Sequence, residues 1–150
     1  MTPADELRAA AEQLRTLATA ASIDSDGVPT ANWHHEDRGR NRGHLYGDHL
    51  TRDDGRCISW PHLLRGGSAQ RPTYMHVQHA AYAAAMGPVV GLALADWLDQ
   101  AARYYEAGVQ AADDVFRDDP AEHEAFLTTG PGAPSEHALA VARQINGTTP

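Results

Sequence analysis

The chain has 150 residues, 42% of them apolar and 21% charged, and a formal net charge of −8 at pH 7. That balance describes a folded protein with one core's worth of chain and excludes a disordered or fibrous one. No apolar run reaches the ~18 residues of a membrane-spanning helix, and the N-terminus lacks the basic-then-apolar layout of a signal peptide, so a cytoplasmic protein with no membrane partner is expected. The lone Cys57 excludes an intramolecular disulfide and a cysteine-based zinc cage.

Thr2-Pro3-Ala4-Asp5 opens a helix, with a hydroxyl cap, a proline in the first turn and an acid facing the dipole. Leu7, Ala10, Ala11, Leu14, Leu17, Ala18 and Ala21 then recur at helical spacing. The turn chemistry of Asp24-Ser25-Asp26-Gly27-Val28-Pro29 stops it near Ser22. Trp33 to Gly43 is polar and without period, which predicts an exposed loop. Two β-prone runs, 44–51 and 56–60, flank Arg52-Asp53-Asp54-Gly55 and predict a hairpin with Leu45, Leu50, Ile58 and Trp60 as its apolar residues.

Thr73 is placed to cap a helix from Tyr74 to Met86, stopped by Gly87. Pro88 opens the longest helix, with Val90, Leu94, Trp97, Leu98, Ala101, Tyr104 and Tyr105 on its inner face and an Asp99–Arg103 pair outside. It can run to Phe116, with Gly108 as a candidate kink. Asp119-Pro120-Ala121-Glu122 starts a short helix, and Ser135 caps a last one that Gly147 stops. The fold class expected is α+β and predominantly helical: an N-terminal helix, a short antiparallel hairpin, a central helix-Pro-helix pair and short C-terminal helices. Residues 1–127 read as one globular domain, 128–134 as a Pro/Gly linker and 135–150 as a C-terminal helix.

Charge is unevenly placed along the chain. From Asp37 to Arg71 there are seven arginines and four acids, a net of +3, whereas the remaining residues sum to −11. Seven of the nine histidines lie between His34 and His79. All twelve basic residues are arginine, which with the abundant alanine fits a GC-rich coding genome; it also suits bidentate recognition of phosphate or carboxylate. Arg38, Arg40 and Arg42 alternate with Gly39, Asn41 and Gly43 as a basic arm, which Arg52, Arg56, Arg65 and Arg71 extend, with Tyr46 and Trp60 as stacking platforms. Asp96 interrupts an apolar neighbourhood, so a partly buried carboxylate paired to an arginine or histidine of the middle segment is expected.

Catalytic signatures are missing. Gly66-Gly67-Ser68-Ala69 is neither a nucleophile elbow nor a phosphate loop, and the chain has no lysine to complete the latter. His76 and His79, three apart, can share a helix face and a divalent metal, although the spacing is not that of a zincin.

The run from Tyr74 to Leu98 resembles small uncharacterised proteins of actinobacteria and their phages and prophages. In these an A-x-x-I-A-x-x-x-P-x-x-x-L-x-L-x-x-x-L helix-Pro-helix segment follows a tryptophan-containing loop and a short hairpin. Ala81, Tyr82, Ala83, Met86, Pro88, Leu92, Leu94 and Leu98 fit that pattern, with Tyr82-Ala83 departing from its aliphatic residue. The resemblance implies a packing motif and a mobile-element setting, and it brings no catalytic residue. The function expected is that of a non-enzymatic accessory or regulatory protein, binding a partner macromolecule or an anion through the basic middle. The partner is expected to be a protein or a second copy of the chain, with nucleic acid as a further candidate, and no cofactor is called for. The alternative is a histidine-dependent metal-binding protein or metallohydrolase.

Overall fold

The computed structural model describes residues 1–24, 27–59, 61–68 and 70–148. The chain is α+β and mainly helical. Its helices are α1 (Pro3–Ala21), α2 (Val77–Ala85), α3 (Pro88–Val115), α4 (Pro120–Thr128) and α5 (Glu136–Asn146). The strands are β1 (His34–Asp37), β2 (Arg42–Tyr46), β3 (Leu50–Thr51), β4 (Cys57–Ser59), β5 (Gly67–Ser68), β6 (Arg71–Pro72) and β7 (Met75–His76). They form a three-stranded antiparallel sheet in the order β1-β2-β7 and two short ribbons, β3-β4 and β5-β6. The chain divides into two compact units, residues 1–15 with 93–150 and residues 16–92. Among the described residues no single helix is long and apolar enough to cross a membrane, although α2 and α3 taken together pass that test of length and composition.

In the helical unit, the capping signals at the helix starts and ends operate as their chemistry dictates. Thr2 Oγ1 accepts from the Asp5 amide while the Asp5 carboxylate accepts from Thr2, a reciprocal box that satisfies two orphan donors. Asp119 caps α4, Ser135 caps α5, and Gly147 closes α5 in the left-handed conformation. The core joins Ala4, Leu7, Ala10 and Ala11 to Ala95, Leu98 and Ala102 and to Ala138, Leu139 and Ala142. So many alanines let helix backbones approach closely, and this shifts the inner face of α3 from the aromatic stripe expected. Trp97 and Tyr104 are exposed, and with Tyr105 they border a cavity of about 310 Å³ against Pro131 and Pro134. Gly108 marks no break, since α3 runs on to Val115. A Cβ there would sit 3.0 Å from the Gly132 Cα, so glycine lets the 130–134 turn close onto the helix.

Two expected ion pairs are replaced. Asp96 has a 77% exposed side chain and receives Arg15 of α1 at 3.0 Å, not a residue of the middle segment. Asp99 accepts from the same guanidinium at 2.7 Å in place of Arg103. Helical phase explains both, because positions 96 and 99 flank the buried Ala95 and Leu98 at the rim of the α1 contact.

In the second unit, the segment expected to be a loop is a hairpin. His34, His35, Glu36 and Asp37 of β1 pair with Tyr46, Leu45, His44 and Gly43 of β2. The expected strand at 44–51 therefore splits: 44–46 belongs to β2, and only Leu50-Thr51 pairs with β4 across the 52–55 turn. Trp60 lies outside the described residues, as does the side chain of Ile58. The central helix begins at Val77 and not at Tyr74, because Met75 and His76 pair with Gly43 and Arg42 as β7, and His76 becomes the helix cap. One face of the sheet packs on α2, where Gly43 brings β2 against Ala80 and Val77. Past β7 the edge of β2 is completed by backbone bonds from Gly47 to Pro61 and from Leu63 to Leu45.

Candidate functional site

Strand alternation gathers the chemistry onto the sheet face opposite α2. Gly43 and Leu45 point to the helix side, so Arg42, His44 and Tyr46 share the other face. The register adds His34 opposite Tyr46, Glu36 opposite His44 and His76 opposite Arg42. Sequence reasoning did not assemble this set. Its trace was the period-two run His34-x-Glu36-x-Arg38 and Arg42-x-His44-x-Tyr46, a polar alternation that an apolar-periodicity test passes over.

His44 lies at the centre and is 9% exposed. Its Nδ1 is 3.0 Å from the Tyr46 hydroxyl, which donates its proton to Glu36 Oε2 at 3.3 Å. With that proton spent on Glu36, the hydroxyl can only accept from His44. The neutral imidazole is thereby assigned as the Nδ1–H tautomer, with its Nε2 lone pair unengaged among the described residues. Burial pushes the imidazole below its ordinary pKa, and Arg38 and His62 add to this against the opposing pull of Glu36. Arg38 bonds Glu36 at 2.8 Å and reaches the Tyr46 hydroxyl at 3.4 Å. The ring of His44 stacks on Tyr74, 6.3 Å between centroids and 9° between planes. His62 meets it edge-on.

Beside this network, the hairpin tip forms an open groove of about 440 Å³ lined by Arg40, Asn41, Arg42, Tyr74, Met75 and His76. Among the described residues no carboxylate lines it. The Arg42 guanidinium lies over the Tyr74 ring, 5.4 Å from its centroid. Gly39, Arg40 and Asn41 take left-handed φ values of 73°, 52° and 59° in succession, a conformation costly for an arginine. Tyr74 is 47% exposed, so part of its ring surface is accessible to a ligand.

The seven arginines singled out in the sequence fare differently. Arg38 and Arg65 pair with Glu36 and Asp24, and Arg56 makes a long, exposed contact of 3.8 Å with Asp54. The side chains of Arg40, Arg42, Arg52 and Arg71 have no carboxylate partner among the described residues. Arg40 and Arg42 come together with Tyr74; Arg52 follows β3 and Arg71 lies in β6, and no described contact joins them to the groove. Tyr46, expected as a stacking platform, is buried inside the polar network. The rings of His76 and His79 stand 5.4 Å apart, and His76 Nδ1 accepts from the Gln78 amide as the helix cap. Among the described residues no group of three or more histidine, cysteine or acidic side chains is placed to hold a metal ion. No family model, curated protein or solved structure matches this chain.

Proposed function

We propose that this chain is a binding protein whose target is a short stretch of single-stranded nucleic acid, seated in the groove at the β1–β2 tip. The observation that carries this reading is the groove's composition: among the described residues, two arginines without carboxylate partners flank a half-exposed tyrosine, and no acid lines the wall. A basic groove with an aromatic platform suits a phosphate chain whose bases stack. Arg40 would meet phosphate at the tip, while Arg42 holds the Tyr74 ring for a base. The resemblance of the run from Tyr74 to Leu98 to actinobacterial and actinophage proteins fits an accessory role in a mobile element.

Fluorescence anisotropy with a labelled single-stranded oligonucleotide tests the reading. Binding that weakens with added salt is expected, and Arg40→Gln with Arg42→Gln together is expected to cost at least about tenfold in affinity. Failure to bind, or binding indifferent to both substitutions, would overturn it.

A further inference from the structure

Within the helical unit, α3 buries Ala95, Leu98 and Ala102 and turns its opposite side to solvent. That side is patterned. Ala93, Trp97, Gln100, Tyr104 and Ala107 follow at alternating steps of four and three, the spacing of a coiled-coil seam, and all five are exposed. Trp97 is 41% and Tyr104 71% exposed, so two large rings one heptad apart stand in water on a single stripe. One edge of the stripe carries Asp96 and Arg103, also a heptad apart and both exposed. The nearby acids Asp99 and Glu106 are engaged by Arg15 and Arg8 of α1. Asp96 takes Arg15 on Oδ1 and accepts no bond on Oδ2, and Arg103 has no carboxylate partner among the described residues. The 131–135 turn borders the other edge, at Ala101 and Tyr105, and leaves the charged edge open.

We infer that this face of α3 is a dimer interface, joining two copies of the chain helix to antiparallel helix across a two-fold axis. Such an interface needs one patch that complements itself, and this stripe does so in one register. With the axis near the level of Leu98, Tyr104 meets the partner's Ala93, Trp97 meets the partner's Gln100 and Asp96 meets the partner's Arg103, each twice. Every ring then faces a smaller side chain, and every charge its opposite. Sliding the partner by one heptad keeps the seam but sets Arg103 against Arg103 in one direction and Asp96 against Asp96 in the other. Charge therefore selects the register, while the buried rings supply the affinity, because exposed ion pairs contribute little. The helix is already formed on its own core, so association orders no backbone. The stripe is about 21 Å long, a small interface, and the dissociation constant expected is on the order of 10–100 μM.

Sedimentation equilibrium of the full chain, from about 2 to about 300 μM, reads the association. A reversible monomer–dimer equilibrium is expected. Tyr104→Glu should raise the dissociation constant at least about tenfold, with far-UV circular dichroism and Tm unchanged because the position is exposed. Asp96→Arg and Arg103→Asp should each weaken self-association, since like charges then face each other across the axis. Mixing these two variants should restore association to the level of the unsubstituted chain, because one copy then presents two acids where the other presents two arginines. A chain that stays monomeric throughout, a dimer indifferent to Tyr104→Glu, or a mixture that associates no better than its separate variants would each overturn the inference.

Discussion

Arg40 sits at φ 52°, where an L side chain crowds the following carbonyl at a cost of roughly 1–2 kcal/mol. Glycine would remove that strain but bring roughly 0.5–1 kcal/mol of extra unfolded-state entropy. Arg40→Gly is therefore expected to raise the unfolding free energy in denaturant titrations by at most about 1.5 kcal/mol, while weakening oligonucleotide binding. A variant that gains stability and binds undiminished would separate the strained tip from function. His44 gives a prediction with a definite sign. Its pKa is lowered on folding by burial first and by Arg38 and His62 next, so the unfolded chain takes up that proton more readily. The stabilising contribution is complete above about pH 6.5 and is lost as pH falls through the folded value. The groups that face it are Glu36 and Arg38 on the β1 side, Arg42 and Tyr46 on β2, and His62 and Tyr74 from the adjoining segments. Unfolding free energy should drop as pH falls below about 6.5, more steeply in the unsubstituted chain than in His44→Gln. Parallel curves would show that His44 titrates alike in both states.

Between elements, the decisive contact for the site is that of β2 with α2. A Cβ on Gly43 would lie 2.6 Å from Ala80 Cβ and 2.9 Å from Val77 Cα, and neither atom can swing aside. Gly43→Ala should thus lower stability by about 1–3 kcal/mol, measured by denaturant titration. It should also weaken oligonucleotide binding, because Arg42 and the β7 pairing lie next to that contact. Unchanged stability would mean that α2 is not seated on the sheet at this point. The legible parts of the fold are those specified by neighbours in sequence. The Thr2–Asp5 box, the Asp119 and Ser135 caps and the Gly147 stop each act within one helical turn, and each lies where its residues place it. The β1–β2 hairpin was not legible for a different reason. Its face turned away from α2 is made of Glu36, Arg38, Arg42, His44 and Tyr46, and on the helix side Gly43 and Leu45 stand opposite the polar Asp37 and His35, so the strands carry no apolar alternation. The start of α2 failed likewise, because Thr73 has the chemistry of a cap while Met75 and His76 are claimed by a strand thirty residues earlier in the chain. Among the site residues, the arginine arm was legible as a type of side chain. Which arginines find a carboxylate was not, since Arg38 meets Glu36 only because β1 folds back on β2.

Over the whole molecule, charge and architecture are sorted together. The helical unit, residues 1–15 and 93–150, holds thirteen acids and five arginines and so carries the entire net charge of −8. The unit of residues 16–92 holds seven of each and is neutral. The groove therefore owes its positive character to local arrangement, with Arg40 and Arg42 clear of acids that elsewhere in the same unit are engaged by Arg38 and Arg65. Two arginines neutralise about two phosphates, so the logarithm of the binding constant should fall against the logarithm of salt with a slope near −1.4. Among the described residues no contact joins Arg52 or Arg71 to the groove, so a strand that runs beyond it gains no further phosphate contact. Affinity should consequently change little as the oligonucleotide grows from about 4 to about 16 nucleotides, and the salt slope should stay constant. If affinity instead climbs with length and the slope steepens towards about −3, the strand is also engaging Arg52 and Arg71, and the binding surface is the whole basic middle of the chain.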